Sequence, residues 1–299
     1  MTSRSWSVDY VRRLLGAAVL AWGLGAPTLA LAAPPKPKAE KPKLSEEEED
    51  RRVAAKAKLA ADAPVDVAAA RADLAGSDVD GAVDAAERLG RSRDPRAAEV
   101  LLDALAVGAH PRVAAAALDA LAKLKSPRSV PVLLHLSRNR HPDLRRKALV
   151  ALGPFREPRV NQALIERLGD STRDVRATAA RLLAERKERA AQRPLIKLLR
   201  RGDEAAAAAI GAIATPDTAR NLAELYGQVS ETLLATALGE FIKRSDVGDA
   251  IRVDVIRTLG KMPGAEATAA LVEYIGSVPA NQERASKHEA QKLLDQRSR

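Results

Sequence analysis

Apolar residues recur along this chain at intervals of three and four, in blocks that repeat. Residues 110–136 read HPRVAAAALDALAKLKSPRSVPVLLHL, and residues 141–168 read HPDLRRKALVALGPFREPRVNQALIERL. Aligning the two puts Val113 over Leu144, Ala117 over Ala148 and Leu121 over Leu152, each pair separated by the same step of about 31 residues. One more such step leads to Val175, Ala179 and Leu183. Apolar spacing of three and four gathers side chains on one side of a helix. In the block from His141, Leu144, Ala148, Leu152 and Phe155 form one stripe, and Ala163, Leu164, Ile165 and Leu168 form a second. Each block therefore predicts two amphipathic helices around a turn. The turns carry a proline: Asp94-Pro95, Ser126-Pro127, Glu157-Pro158, Thr215-Pro216 and Met262-Pro263. Proline suits the first turn of a helix, where the N–H it lacks would have no partner.

Further copies start at Ser77 and Ala250, and a degenerate one covers residues 203–226. The helix expected over SETLLATALGEFIKR, residues 230–244, has no evident mate, so the sixth unit reads as truncated or rearranged. A fixed period of this size marks stacked repeats. A single hairpin of one period cannot bury enough apolar surface to offset its ordering entropy, so neighbouring units must supply the rest. The expected fold is all-α, a right-handed α-solenoid of stacked helical hairpins over residues 77–278. Lead-in helices are expected at 45–76. A polar-backed capping helix is expected at 279–299, with Leu293 and Leu294 facing inward.

The sets Val113-Ala117-Leu121, Leu144-Ala148-Leu152-Gly153, Val175-Arg176-Ala179-Leu183 and Arg252-Leu259-Gly260 resemble the HEAT-repeat superfamily. Within it they are similar to the short bacterial phycobilisome-lyase-type HEAT-like repeat. The resemblance covers roughly residues 77–277 and implies an architecture. It leaves activity open, since that family includes scaffolds, regulators and a few enzymes. It also implies that second helices line a concave surface on which partners sit.

Composition sharpens this picture. Among 299 residues there are seven aromatics, so large rings cannot dominate the core. Runs such as AAAA at 114–117 and AAAAA at 205–209 allow helix axes to approach closely instead. The absence of Cys excludes a thiol nucleophile, a lipid-modified Cys and every Cys-based metal site. At the N-terminus, Arg4, Arg12 and Arg13 precede LLGAAVLAWGLGA, and Ala30-Leu31-Ala32 offers a small-x-small cleavage site. Residues 1–32 are read as an export signal cleaved near Ala32, which predicts a periplasmic or secreted protein; retention of the signal would be its one route to a membrane. PPKPKAEKPK, within residues 33–44, reads as an extended linker. The whole chain carries a formal charge of +10; removing three arginines and Asp9 with the signal leaves +8.

No Gly-rich phosphate loop, His-Glu-x-x-His pair or nucleophile elbow is present, and no cofactor or metal is expected. His110 and His141 are equivalent repeat positions before a proline, which suits a turn role. His135 falls on a second helix, and His288 on the terminal one. Glu99 and Asp103 lie four apart on a second helix, which puts both carboxylates on one side. Counting four and eight residues on from each turn proline yields a ladder: Glu99 and Asp103, Pro131 and His135, Gln162 and Glu166. With Arg189 in the proline's place, Arg193 and Lys197 follow. This ladder runs from acidic to basic. Arg138, Arg140, Arg193 and Lys197, with His135, are the candidate partner-binding residues. An acidic protein or an anionic envelope polymer is the expected partner. Nucleic acid is disfavoured, because aromatic stacking groups are scarce and export removes the chain from it. The sequence thus points to a non-enzymatic, protein-binding scaffold of the bacterial envelope. An enzyme resembling the phycobilin lyases and a nucleic-acid-binding HEAT-like protein are the alternatives, and a cytoplasmic location would favour either.

Overall fold

A computed structural model describes residues 65–279 and 281–298. The export signal, the linker and the helix expected over 45–62 lie outside the described residues. Fifteen α-helices follow one another, and no strand occurs among the described residues. They are α1 (Val67–Ala75), α2 (Val79–Arg91), α3 (Arg96–Val107), α4 (Pro111–Leu124) and α5 (Val130–Leu136). Next come α6 (Pro142–Leu152), α7 (Pro158–Arg167), α8 (Arg173–Glu185), α9 (Gln192–Leu199) and α10 (Glu204–Ile213). The series ends with α11 (Pro216–Ala223), α12 (Glu231–Lys243), α13 (Asp249–Gly260), α14 (Ala265–Ser277) and α15 (Ala285–Arg297). Even-numbered helices stack on one another as a first row, and odd-numbered helices lie beside them as a second.

Small residues set the first row. Gly90 of α2 lies against Ala120 of α4, so closely that a Cβ on the glycine would stand 2.8 Å from it. Gly239 of α12 meets Ala270 of α14 in the same way, at 2.9 Å, and Gly211 of α10 abuts the Ala237 carbonyl of α12. Between these contacts Leu121, Leu149, Leu152, Leu183 and Phe241 are fully buried. Glycine against alanine thus gives close approach between these helices, and dispersion contacts replace aromatic bulk.

Arginine fastens one unit to the next at both helix ends. At the entry to α6, α8 and α10, Asn139, Asp170 and Asp203 each accept a hydrogen bond from the N–H two residues on, at 2.9, 2.9 and 3.1 Å. Arg145 donates through Nε and Nη2 to the Asp170 carboxylate at 2.8 and 2.7 Å, and through Nη1 to the Asn139 carbonyl at 2.9 Å. Arg176, one repeat later, does the same toward Asp203 at 2.5 Å and the Asp170 carbonyl at 2.9 Å. Burial alone would raise the Asp170 carboxyl, but Arg145, the Thr172 N–H and Arg167 outweigh it and hold the group below its usual value.

Opposite helix ends show a second device. The last carbonyls of a helix have no partner within it. Arg186, just past α8, donates to the carbonyls of Leu152 and Gly153 at the end of α6, at 2.8 and 3.0 Å. Arg244, past α12, reaches Gly211 and Ala214 at the end of α10, at 3.2 and 2.6 Å. Arg297 reaches Leu259, Gly260 and Met262 at the end of α13, at 2.8, 3.3 and 2.5 Å. A cation at a helix C-terminus also meets the negative end of the helix dipole.

One sequence expectation is corrected. Residues 250–275 read as a repeat whose first helix starts at Ala250, leaving 230–244 without a mate. In the structure α12 continues the first row between α10 and α14, and α13 takes the place beside it. The reason is packing: α12 buries Leu233, Leu234, Leu238, Phe241 and Ile242, and its Gly239 fits Ala270 of α14. The misleading signal was Arg252, buried as a first-helix arginine would be, with Nε on the Ile242 carbonyl at 2.9 Å. α15 stacks on α13, with Leu293 against Gly260, so the terminal helix completes the last pair.

Candidate partner-docking face

The first-row surface is covered by ion pairs between successive units: Arg112 with Asp80 at 2.8 Å, Lys147 with Asp119 at 2.5 Å, Arg173 with Glu204, and Lys243 with Glu273 at 3.1 Å. Second-row charges divide differently. Glu99 pairs with Arg128, and Asp103 pairs with Arg71 at 2.7 Å, so the acidic end of the ladder is neutralised by its own neighbours.

Its basic end is not. Arg193, Lys197 and Arg201 are exposed, lie four residues apart, and have no ion-pair partner among the described residues. The nearby acids in sequence are engaged elsewhere. Glu188 accepts from the Ala190 N–H at 3.2 Å and from Asn161 at 2.5 Å, while Asp203 holds Arg176. Arg189 and Arg200 add two further exposed cations without an ion-pair partner among the described residues. At about 1.5 Å rise per residue, the step from Arg193 to Lys197 along α9 spans about 6 Å, and Arg201 follows in the turn just past the helix.

Of the sequence-derived candidates, the structure brings Arg193 and Lys197 to one groove between α7 and α9, together with Glu166. Arg138 joins from α5's end by donating to Glu166 at 2.9 Å. That bond and the nearby charges hold the Glu166 carboxyl below its ordinary value despite partial desolvation. His135 is exposed on α5, one second-row helix away from Glu166. Arg140 is placed apart from the groove: it lies in the turn before α6, where its Nε donates to His141 Nε2 at 3.1 Å. Arg201 was missed in sequence, although it is simply the next step of the Arg193–Lys197 spacing. His110 takes a turn role, its Nδ1 accepting from the Arg112 N–H at 3.3 Å.

Residues 98–175 and 161–238 each match the HEAT repeats family. The stretch 98–238 is built of HEAT repeats. No curated protein matches the chain. Among solved structures, similar ones include the complex of CpcE and CpcF of phycocyanin lyase from Nostoc sp. PCC7120, with 19% identity, 79% of this chain and 96% of that chain covered, and a TM-score of 0.41. An engineered protein shares 19% identity, with 77% of this chain and 78% of its own covered, at a TM-score of 0.40. HEAT arrays present extended surfaces suited to protein partners.

Proposed function

We propose that this HEAT-repeat protein is a non-catalytic docking scaffold, exported to the bacterial cell envelope, whose second-row face captures an acidic protein. One observation supports this reading above others. Arg193, Lys197 and Arg201 are exposed, lie at intervals of four residues and line one groove, with no ion-pair partner among the described residues. Cations kept free in this way raise the local concentration of an acidic partner and speed encounter. Arg138 and Glu166 border the stripe, and His135 lies on the neighbouring helix. Export rests on the residues of the N-terminal segment, Arg4 to Ala32.

Capture from an envelope extract tests the docking role. The Arg193→Glu, Lys197→Glu, Arg201→Glu triple variant should lose most bound partner at low salt, and wild-type capture should itself weaken as salt rises. Unchanged capture by the triple variant refutes the docking role of this face. Retention of an anionic polymer in place of protein would redirect it to the envelope surface. Fractionation with intact-mass analysis tests export: a mature chain beginning at Ala33 is expected, and a cytoplasmic full-length chain refutes it.

A further inference from the structure

The groove beside the cationic stripe has a second property that a purely electrostatic surface lacks. Its floor is apolar. Ile165 of α7 and Pro194 of α9 are half-buried there, above the buried Leu168 and Leu198. Its two walls also differ in charge. Arg193, Lys197 and Arg201 line one side, and the other carries Glu166, held ionised by Arg138 at 2.9 Å.

We infer that this groove takes an acidic peptide segment with an apolar anchor, its carboxylates along one edge and its anchor on Ile165 and Pro194. The inference rests on the docking role proposed above and names the chemistry of the segment that enters. Charge complementarity selects acids for the α9 wall. Arg193 and Lys197, about one helical turn apart on α9, match carboxylates four apart on a helix. The Glu166 wall offers no free cation, because Arg138 is spent on that carboxylate, so a partner that is negative on every side, such as a polyphosphate or a nucleic acid, meets free cations on one side only. Such a polyanion also has nothing to cover the apolar floor, whereas an aliphatic side chain gains by leaving water there.

Three dye-labelled probes against the full chain test this by fluorescence anisotropy. One is an Ala-based helical peptide with three Glu spaced by four and Leu beside them. Another is the same peptide with Ser for each Leu, and the third is inorganic polyphosphate. The wild type should prefer the Leu peptide over the Ser peptide about tenfold, roughly the burial of one or two aliphatic groups. Ile165→Ser, and separately Pro194→Ser, should erase that preference while retaining weak salt-sensitive binding. Glu166→Gln should strengthen polyphosphate binding and leave the Leu preference in place. Equal binding of the two peptides, or polyphosphate binding the wild type as tightly as the Leu peptide, overturns the groove inference. If the Arg193→Glu, Lys197→Glu, Arg201→Glu variant still loses binding in that case, the basic docking face survives without its apolar groove. Full binding by the triple variant removes both.

Discussion

The two helix rows of this array solve opposite problems with the same residue types. In the first row, glycine and alanine bring helices into van der Waals contact, and charges outside are paired across units. In the second, helices such as α5 and α9 are short, and α9 leaves its cations unpaired. One row stores stability and the other presents chemistry. A substitution should therefore matter through the row in which it falls, more than through its own hydrophobicity or charge.

The strongest break of that division is Arg145→Ala. It removes the two-bonded partner of the Asp170 carboxylate, whose side chain is 3% exposed between two units, and leaves it only the Thr172 N–H and Arg167 at 3.8 Å. Removing one member of a buried pair typically costs about 3–5 kcal/mol. Urea unfolding should show a lower midpoint of that order; a shift below about 1 kcal/mol means the contact between units does not depend on this arginine. Gly239→Leu comes next, since it forces α12 away from Ala270. Overpacking costs about 1–3 kcal/mol, whereas Gln162→Leu, exposed in the second row, should stay within about 0.5 kcal/mol. Similar losses from both variants would erase the distinction between rows.

Acid provides a smaller effect with a fixed sign. The Arg244 guanidinium, bonded to Asp246, lowers that carboxyl to about 2. The folded value lies below the unfolded one of about 3.9, so the stabilisation is complete above that pH and fades as pH falls toward about 2. Asp246 is half-exposed, so solvent limits the contribution to well under about 1 kcal/mol. Asp246→Asn should flatten that part of the stability profile between pH 4 and 2, and an unaltered slope would assign the acid sensitivity to other carboxylates. The least effect belongs to Arg193→Ala, Lys197→Ala and Arg201→Ala together. Their thermal midpoint should match wild type within about 0.5 kcal/mol, because nothing in the fold depends on them. A clear loss there would show that the stripe is structural.

Much of this architecture was readable from period and spacing. Val113, Leu144 and Val175 fall one period apart, and each occupies the same buried position in α4, α6 and α8. The reading slipped at α13 because Arg252, Leu259 and Gly260 imitate a first helix. What settles its place is how α12 and α14 fit together, which joins residues a whole repeat apart and leaves no local pattern. Roles of individual arginines were equally hidden. Arg145 and Arg193 are the same letter, yet one is locked between Asp170 and two carbonyls while the other is free. Spacing did locate Arg193 and Lys197 on one side of α9. It could not reveal that Arg138 spends its charge on Glu166, since that bond joins neighbouring units.

The arginines that close helix ends also impose an order in time. The carbonyls of Leu152 and Gly153 wait for Arg186, 34 and 33 residues downstream, and those of Leu259 and Gly260 wait for Arg297, 38 and 37 residues on. A chain emerging N-terminus first can therefore finish the ends of α6, α10 and α13 only after the next helix of the same row has followed each out. Folding of this molecule would advance one unit behind its own emergence, in short closures that avoid the slow search of distant pairings. A ribosome stalled just before Arg186 would hold the end of α6 unfinished, ready to close when that arginine emerges.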